Sequence, residues 1–520
     1  MSPIAITLIV LIAAIALFVW NKVPVGLVAI GVALALYFTG VIGFEQTIAG
    51  FGDPVIIFIA ALFVVGEGLD ATGVTTWAGQ QLTRRAGTKR STIVVLVSLL
   101  VAALTAVISV NGAVAALVPM AVVLAIRIRQ PPSQLLMPLA FAAHAGSLLL
   151  LSGTPVNLLI SELADDATGR PIGYAEFALV GIPLLAGTIL VLVFLGPRLL
   201  PHRMAEHAPR DLSQHAETLA HQYSLDLEPG QAALDRETGL TEVVVPPRSE
   251  FIGETVFPGM VTESGELVIV AVQRGGEDQG RTVLAAGDVM LLQGTWDALT
   301  ERTVDPNVVV VDEPASVRRQ AVPLSGRAWS AIVILVGMVA LLATGLVPPA
   351  IAALLAAGAM VLLRVVTVAQ AHRSISWTTL ILVAGMIPLS TAIQVSGAAD
   401  LIAGGIVDVL GSASPYLLVL GISVVTIVLG QLISNMATAL ILAPIAVAIA
   451  GETGISPLPL LMAVAVSAAA SFLTPVATPA NTMVLGPGGY RFGDYWKLGL
   501  PLIAVFLLVA TFVVPLFWPF

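Results

Sequence analysis

Two short polar runs, each present twice, hold the residues able to do chemistry in this chain. The later copy reads Ser434-Asn435-Met436-Ala437-Thr438, then Thr474-Pro475-Val476-Ala477-Thr478-Pro479-Ala480-Asn481. The earlier copy reads Ser109-Val110-Asn111-Gly112, then Gly153-Thr154-Pro155-Val156-Asn157. Proline removes a backbone donor and disrupts a helix, which frees carbonyl oxygens. Asn and Thr add side-chain oxygens beside them. Broken helices of this kind coordinate Na⁺ through oxygens while helix N-termini face an anion. One Ser/Asn pair in an apolar helix is ordinarily an interhelical hydrogen bond, and one proline ordinarily a kink. The same two elements in the same order in both halves, about 43–46 residues apart, favour a functional reading.

The elements that must position these runs are apolar. The chain has 520 residues, 57% apolar and 11% charged, with net charge −9 and no cysteine; the mean hydropathy is +0.98. A soluble chain carries about a quarter charged residues, so a soluble enzyme is excluded. The absence of cysteine excludes disulfides and thiolate metal sites, and the acidic balance argues against a nucleic-acid partner. Apolar stretches fall at about 3–20, 24–42, 54–72, 91–126, 133–160 and 178–197, then at 328–346, 348–366, 378–396, 413–450, 457–485 and 498–518. Each half gives three spans, one double-length stretch and two more spans. The repeated rhythm predicts an internal duplication.

The double-length stretches decide the topology. Between Arg90 and Arg127 lie 36 uncharged residues with the Ser109–Gly112 break in the middle and basic clusters at both ends. That fits a hairpin over about 91–129 re-entering from the cytoplasm. The second stretch, about 412–451, lies in a region free of Lys and Arg between Arg373 and Arg491, so its hairpin is expected to enter from outside. With ten full spans both termini then fall outside the cytoplasm, and 13 of the 14 Lys/Arg beyond residues 200–326 face it, Arg170 being the exception. An odd number of spans per half predicts an inverted repeat: a first membrane repeat at 1–200 and a second at 327–520.

At the hairpin tips and broken spans the sequence resembles the divalent anion:sodium symporter (DASS) family of the ion transporter superfamily. The resemblance covers nearly all of the membrane part and is most specific at 434–481. It implies an all-α polytopic membrane protein with opposed re-entrant hairpins, an elevator mechanism and a homodimer in the cell (inner) membrane. By the same resemblance one Na⁺ site would use Ser109, Asn111, Gly153 and Asn157, and the other Ser434, Asn435, Thr478 and Asn481. Substrate would meet Ser109, Asn111, Gly112 and Thr154 on one side and Asn435, Met436, Thr438 and Thr478 on the other. The sequence departs from the family's Ser-Asn-Thr tip: Asn111 or Gly112 stands for its Thr in the first half and Met436 in the second. Asn111 lies eight residues before Pro119 and Asn435 nine before Pro444, so the first tip aligns either as Ser-Val-Asn or with a one-residue deletion. Loss of both hydroxyls argues against a dicarboxylate.

Residues 201–326 are expected to form a separate cytoplasmic domain, helix-compatible to about Leu240 and then, over about 240–312, rich in short strands. Strands are predicted at Thr241–Val245, Leu267–Gln273, Val289–Leu292 and Val308–Val311, with turns at Pro246-Pro247, Gly275-Gly276 and Gly287-Asp288. Glu242–Val245, Ser249-x-x-Ile252-Gly253, Val270-x-x-Gln273-Arg274-Gly275-Gly276 and Ala286–Val289 resemble a TrkA C-terminal (RCK-C) domain. That small α/β module implies either binding of a small regulatory ligand or dimerisation. Membrane proteins of the DASS family with such an insert include sulfate transporters. The expectation is therefore a sodium-coupled symporter of sulfate or a similar divalent anion, not an enzyme, with a C4-dicarboxylate symporter or a cation- or proton-coupled antiporter as alternatives. His144, two turns before Gly153, is either a proton-coupling group or a hydrogen-bonded structural residue.

Overall fold

The computed structural model describes residues 2–20, 22–85, 89–203, 238–303, 305–312, 314, 317, 327–410 and 414–520. They form two compact units, one of residues 1–69, 78–208 and 329–520 and one of residues 70–77 and 209–328.

The larger unit is helical, and its two halves run through the same order of elements. The first half comprises α1 (Pro3–Trp20), α2 (Val25–Phe38), α3 (Phe44–Ala49), α4 (Pro54–Ala71), α5 (Val74–Arg85), α6 (Arg90–Thr105), α7 (Val110–Arg127), α8 (Leu136–Gly146), α9 (Pro155–Thr168) and α10 (Ala178–Phe194). The second half comprises α11 (Ala328–Thr344), α12 (Pro349–Leu362), α13 (Val368–Ser374), α14 (Trp377–Val395), α15 (Ala398–Leu410), α16 (Pro415–Gly430), α17 (Asn435–Thr453), α18 (Pro457–Ala468), α19 (Pro479–Leu485) and α20 (Tyr495–Leu508). Each helix of the first half thus has a counterpart ten labels later; the ends of α4, α5 and α11 at residues 70–77 and 328 group with the smaller unit. Among the described residues five helical stretches are long and apolar enough to cross a membrane, and eight shorter apolar helices accompany them. With the apolar composition, this makes the chain a membrane protein.

The hairpins are α6–α7 and α16–α17, and the broken spans are α8–α9 and α18–α19. Prolines explain the breaks: Pro155 and Pro479 open α9 and α19, where a missing N–H costs nothing. The apolar stretches at 133–160 and 457–485 are each divided into two helices at the expected breaks. α8 is buried at every position, and α18 is buried from Pro459 to Ala468; helices apolar all round belong at a centre. α8 lies against α6 and α7, and α18 against α16 and α17. Across the halves α9 lies against α17 and α18, and α19 against α7 and α8. Each short half-helix is thus covered by the other half's hairpin.

The smaller unit carries a five-stranded antiparallel sheet in the order β4-β3-β6-β1-β7. Its strands are β1 (Thr238–Val244), β3 (Leu267–Arg274), β4 (Glu277–Gln279), β6 (Val289–Thr295) and β7 (Val309–Val310), while β2 (Thr255–Val256) pairs separately with β5 (Thr282–Val283). The four predicted strands coincide with β1, β3, β6 and β7. The expected helix-compatible stretch falls mostly on residues outside those described, and Thr238, Gly239 and Leu240 belong to β1, so the boundary lies earlier than expected. Gly275 and Gly276, at φ 62° and 90°, make the turn from β3 to β4, a conformation natural to glycine. Trp296 opens the helix Trp296–Arg302 and covers Gly239 of β1, where a Cβ would overlap the indole.

Candidate functional site

Ser109 and Ser434 cap α7 and α17. Their hydroxyls accept hydrogen bonds from the backbone N–H groups of Gly112 at 3.2 Å and Ala437 at 3.3 Å, each satisfying one orphan donor of a helix start. Ser109 stands ten residues before Pro119 and Ser434 ten before Pro444. The two tips therefore share one register without a deletion. Val110 corresponds to Asn435 and Asn111 to Met436, so the asparagine is displaced by one position between the halves. Asn111 and Ser434 are exposed, Ser109, Gly112 and Asn435 are half-buried, and Met436 is buried. Thr438 is also buried, and its hydroxyl donates to the Ser434 carbonyl at 3.1 Å.

The breaks are built alike. Asn157 Nδ2 donates to the carbonyls of Ser147 and Leu150, both at 2.9 Å. Asn481 Nδ2 donates to the carbonyls of Ser471 at 2.7 Å and Thr474 at 3.1 Å. In each half the partners lie ten and seven residues before the asparagine. Both asparagines are fully buried, and each folds the non-helical stretch back on the start of the next half-helix. Thr154 and Thr478 cap those half-helices, accepting from Val156 N–H at 3.5 Å and Asn481 N–H at 3.3 Å. Gly153 leaves room for the Ser147 carbonyl, which a Cβ would overlap.

Further residues, which sequence reasoning missed, join tip to break. Ser471 Oγ donates to Asn435 Oδ1 at 2.6 Å. Gln431 Nε2 donates to the Ala470 carbonyl at 3.0 Å, and Gln431 Oε1 accepts from Leu473 N–H at 2.9 Å. In the first half Ser152 Oγ donates to the Ala106 carbonyl at 2.9 Å. The available signal was a glutamine inside an otherwise apolar run. Between halves, His144 Nε2 lies 3.2 Å from Thr478 Oγ1 and 3.4 Å from Asn481 Oδ1. Tyr495 Oη donates to the Asn481 carbonyl at 2.7 Å.

Chemically, the two breaks offer neutral oxygens and half-helix N-termini. Among the described residues no cluster of three or more His, Asp or Glu is placed to hold a metal ion. Such a donor set suits a weakly bound monovalent cation and an anion rather than a tightly held transition metal. In the smaller unit Arg274 meets Asp288 through two contacts of 2.7 Å. That hydrogen-bonded pair holds the Asp288 carboxyl below its ordinary value of 3.8.

Comparison with known proteins agrees with this architecture. An uncharacterized transporter of Escherichia coli, YfbS, is 30% identical over 98% of both chains. A probable sodium/sulfate cotransporter of Chlamydomonas reinhardtii is 27% identical over 53% of this chain and 32% of its own. The crystal structure of the Alcanivorax borkumensis YdaH transporter has a similar fold, with a TM-score of 0.51 at 15% identity, over 97% of this chain and 98% of that one. The citrate transporter (CitMHS) family profile matches residues 15–453 and 409–520. By sequence and fold, this chain belongs to the citrate transporter family, in the superfamily that also holds the DASS symporters.

Proposed function

We propose that this transporter is a sodium-coupled symporter of a small divalent anion, with sulfate as the favoured substrate. The observation that carries the proposal is the pair of asparagine-closed breaks, each ending at a threonine-capped half-helix. Sodium bound among carbonyl and amide oxygens would order the tips at Ser109 and Ser434. The anion would then face half-helix N-termini whose partial positive charge complements it. Coupling arises as shared binding free energy, since each ion favours the same ordered state. Sulfate is preferred because Met436 occupies the second tip and because a relative sharing half of this chain is named a probable sodium/sulfate cotransporter. The family description supports a second reading, a carboxylate symporter.

The shared element order and matched hydrogen bonds of the two halves support an inverted repeat in which hairpins and breaks move as one elevator body. The smaller unit is read as a cytoplasmic RCK-C-like regulatory or dimerising domain, with both termini on the opposite side and the protein a homodimer. The test is uptake of radiolabelled sulfate into liposomes holding purified protein, with and without an inward Na⁺ gradient. The expected result is Na⁺-driven sulfate uptake that excess succinate does not inhibit. Competition by succinate would move the assignment to a carboxylate, and sulfate uptake indifferent to Na⁺ would overturn the coupling.

A further inference from the structure

The two breaks differ in what faces the amide oxygen of the closing asparagine. Ser147, Leu150, Thr154 and Asn157 match Ser471, Thr474, Thr478 and Asn481 at a constant separation of 324 residues. The same separation pairs His144 with Ala468. His144 reaches across the halves, so that its Nε2 faces both Thr478 Oγ1 and Asn481 Oδ1. Ala468, its counterpart, carries only a methyl group. Asn157 Oδ1, in a residue with 0% exposure, has no hydrogen-bond partner among the described residues. A buried, unpartnered amide oxygen costs about 1–3 kcal/mol, and an arriving cation would remove that cost.

The Asn481 break is occupied instead. An amide oxygen only accepts, so the imidazole tautomer carrying Nε2–H is the one that satisfies Asn481 Oδ1. That N–H directs partial positive charge at both oxygens a cation would need, and the ring fills the volume beside them. The ring is held there, since His144 is 2% exposed and stands edge-on to Phe472 at 5.8 Å.

Building on the sodium-coupled reading above, we propose that each chain binds one Na⁺, at the Asn157 break, and that His144 closes the Asn481 break by taking the place of a second cation. The separation of roles follows from one residue pair, His144 and Ala468, at equivalent positions of a duplicated element.

The test is isothermal titration of NaCl into the purified full chain in choline buffer, with the thermal midpoint followed against NaCl. The expected stoichiometry is one Na⁺ per chain for the wild type, none for Asn157→Ala and two for His144→Ala. His144→Ser serves as the second variant should the alanine not fold. Two Na⁺ per wild-type chain, one Na⁺ retained by Asn157→Ala, or no gain in either folded His144 variant would each overturn the closure. Those results leave sodium-driven uptake in place. A wild-type chain that binds no Na⁺ and takes up sulfate without it would instead remove the sodium-coupled reading and this proposal together.

Discussion

Asn157 and Asn481 each spend both amide hydrogens on carbonyls of the broken stretch before them. In an apolar interior such carbonyls find no water, and an unsatisfied one costs several kcal/mol. The side-chain amide therefore closes the turn while its own oxygen stays available for a second duty. Gly153 belongs to the same construction, because a side chain there would displace the Ser147 carbonyl that Asn157 holds. Gly153→Ala is expected to cost about 1–3 kcal/mol, as overpacking does, and to abolish Na⁺-driven uptake. A thermal midpoint lowered by several degrees together with lost flux is the outcome to look for. Unchanged flux would remove Gly153 from the site.

At the scale of elements, the hairpin tip depends on the break it touches. Ser471 donates to Asn435 and Gln431 bridges to Ala470 and Leu473, so tip and break order one another. Ser471→Ala removes one hydrogen bond, worth about 1 kcal/mol net. Half-saturation of uptake by Na⁺ or by anion should therefore rise roughly fivefold while the maximal rate changes little. A rate loss at unchanged half-saturation would count against this coupling. Helices, hairpins and breaks were legible in the sequence because apolar length, Ser caps and Pro at helix starts act locally. The register of the first tip was not legible from Asn111 and Asn435, since the asparagine moved by one position. It became readable from the caps, Ser109 and Ser434. The partnership of His144 with Thr478 and Asn481 was beyond reach because it spans more than 330 positions and depends on how α8 meets α19. In the smaller unit, β-rich runs between turn residues marked all four predicted strands, whereas the start of β1 at Thr238 follows from its pairing with Thr295, a contact no local pattern announces.

On the scale of the whole molecule the two units answer to different conditions. Asp288 titrates lower when folded, because Arg274 hydrogen-bonds to it. The pair's contribution is thus fully present above the ordinary carboxyl value of 3.8 and is lost as pH falls through the lower folded value. Hydrogen exchange in the full chain, corrected for intrinsic rates, should show peptides from 238–312 losing protection below about pH 4, and Arg274→Met should move that loss upward in pH. An unchanged profile in the variant would exclude the pair as the acid-sensitive element. The larger unit has a different dependence, on the order of its own synthesis. α9 is covered by α17 and α18, so the polar turn around Asn157 is made 278 residues before Asn435, where its cover begins. At about 5–20 residues per second the delay is roughly 14–56 s. Through that interval a half-finished chain holds an unshielded half-helix in the bilayer, in the keeping of the insertion machinery. A nascent chain cut short before α17 never acquires the surfaces that cover α9, and its fate is removal by quality control rather than partial function.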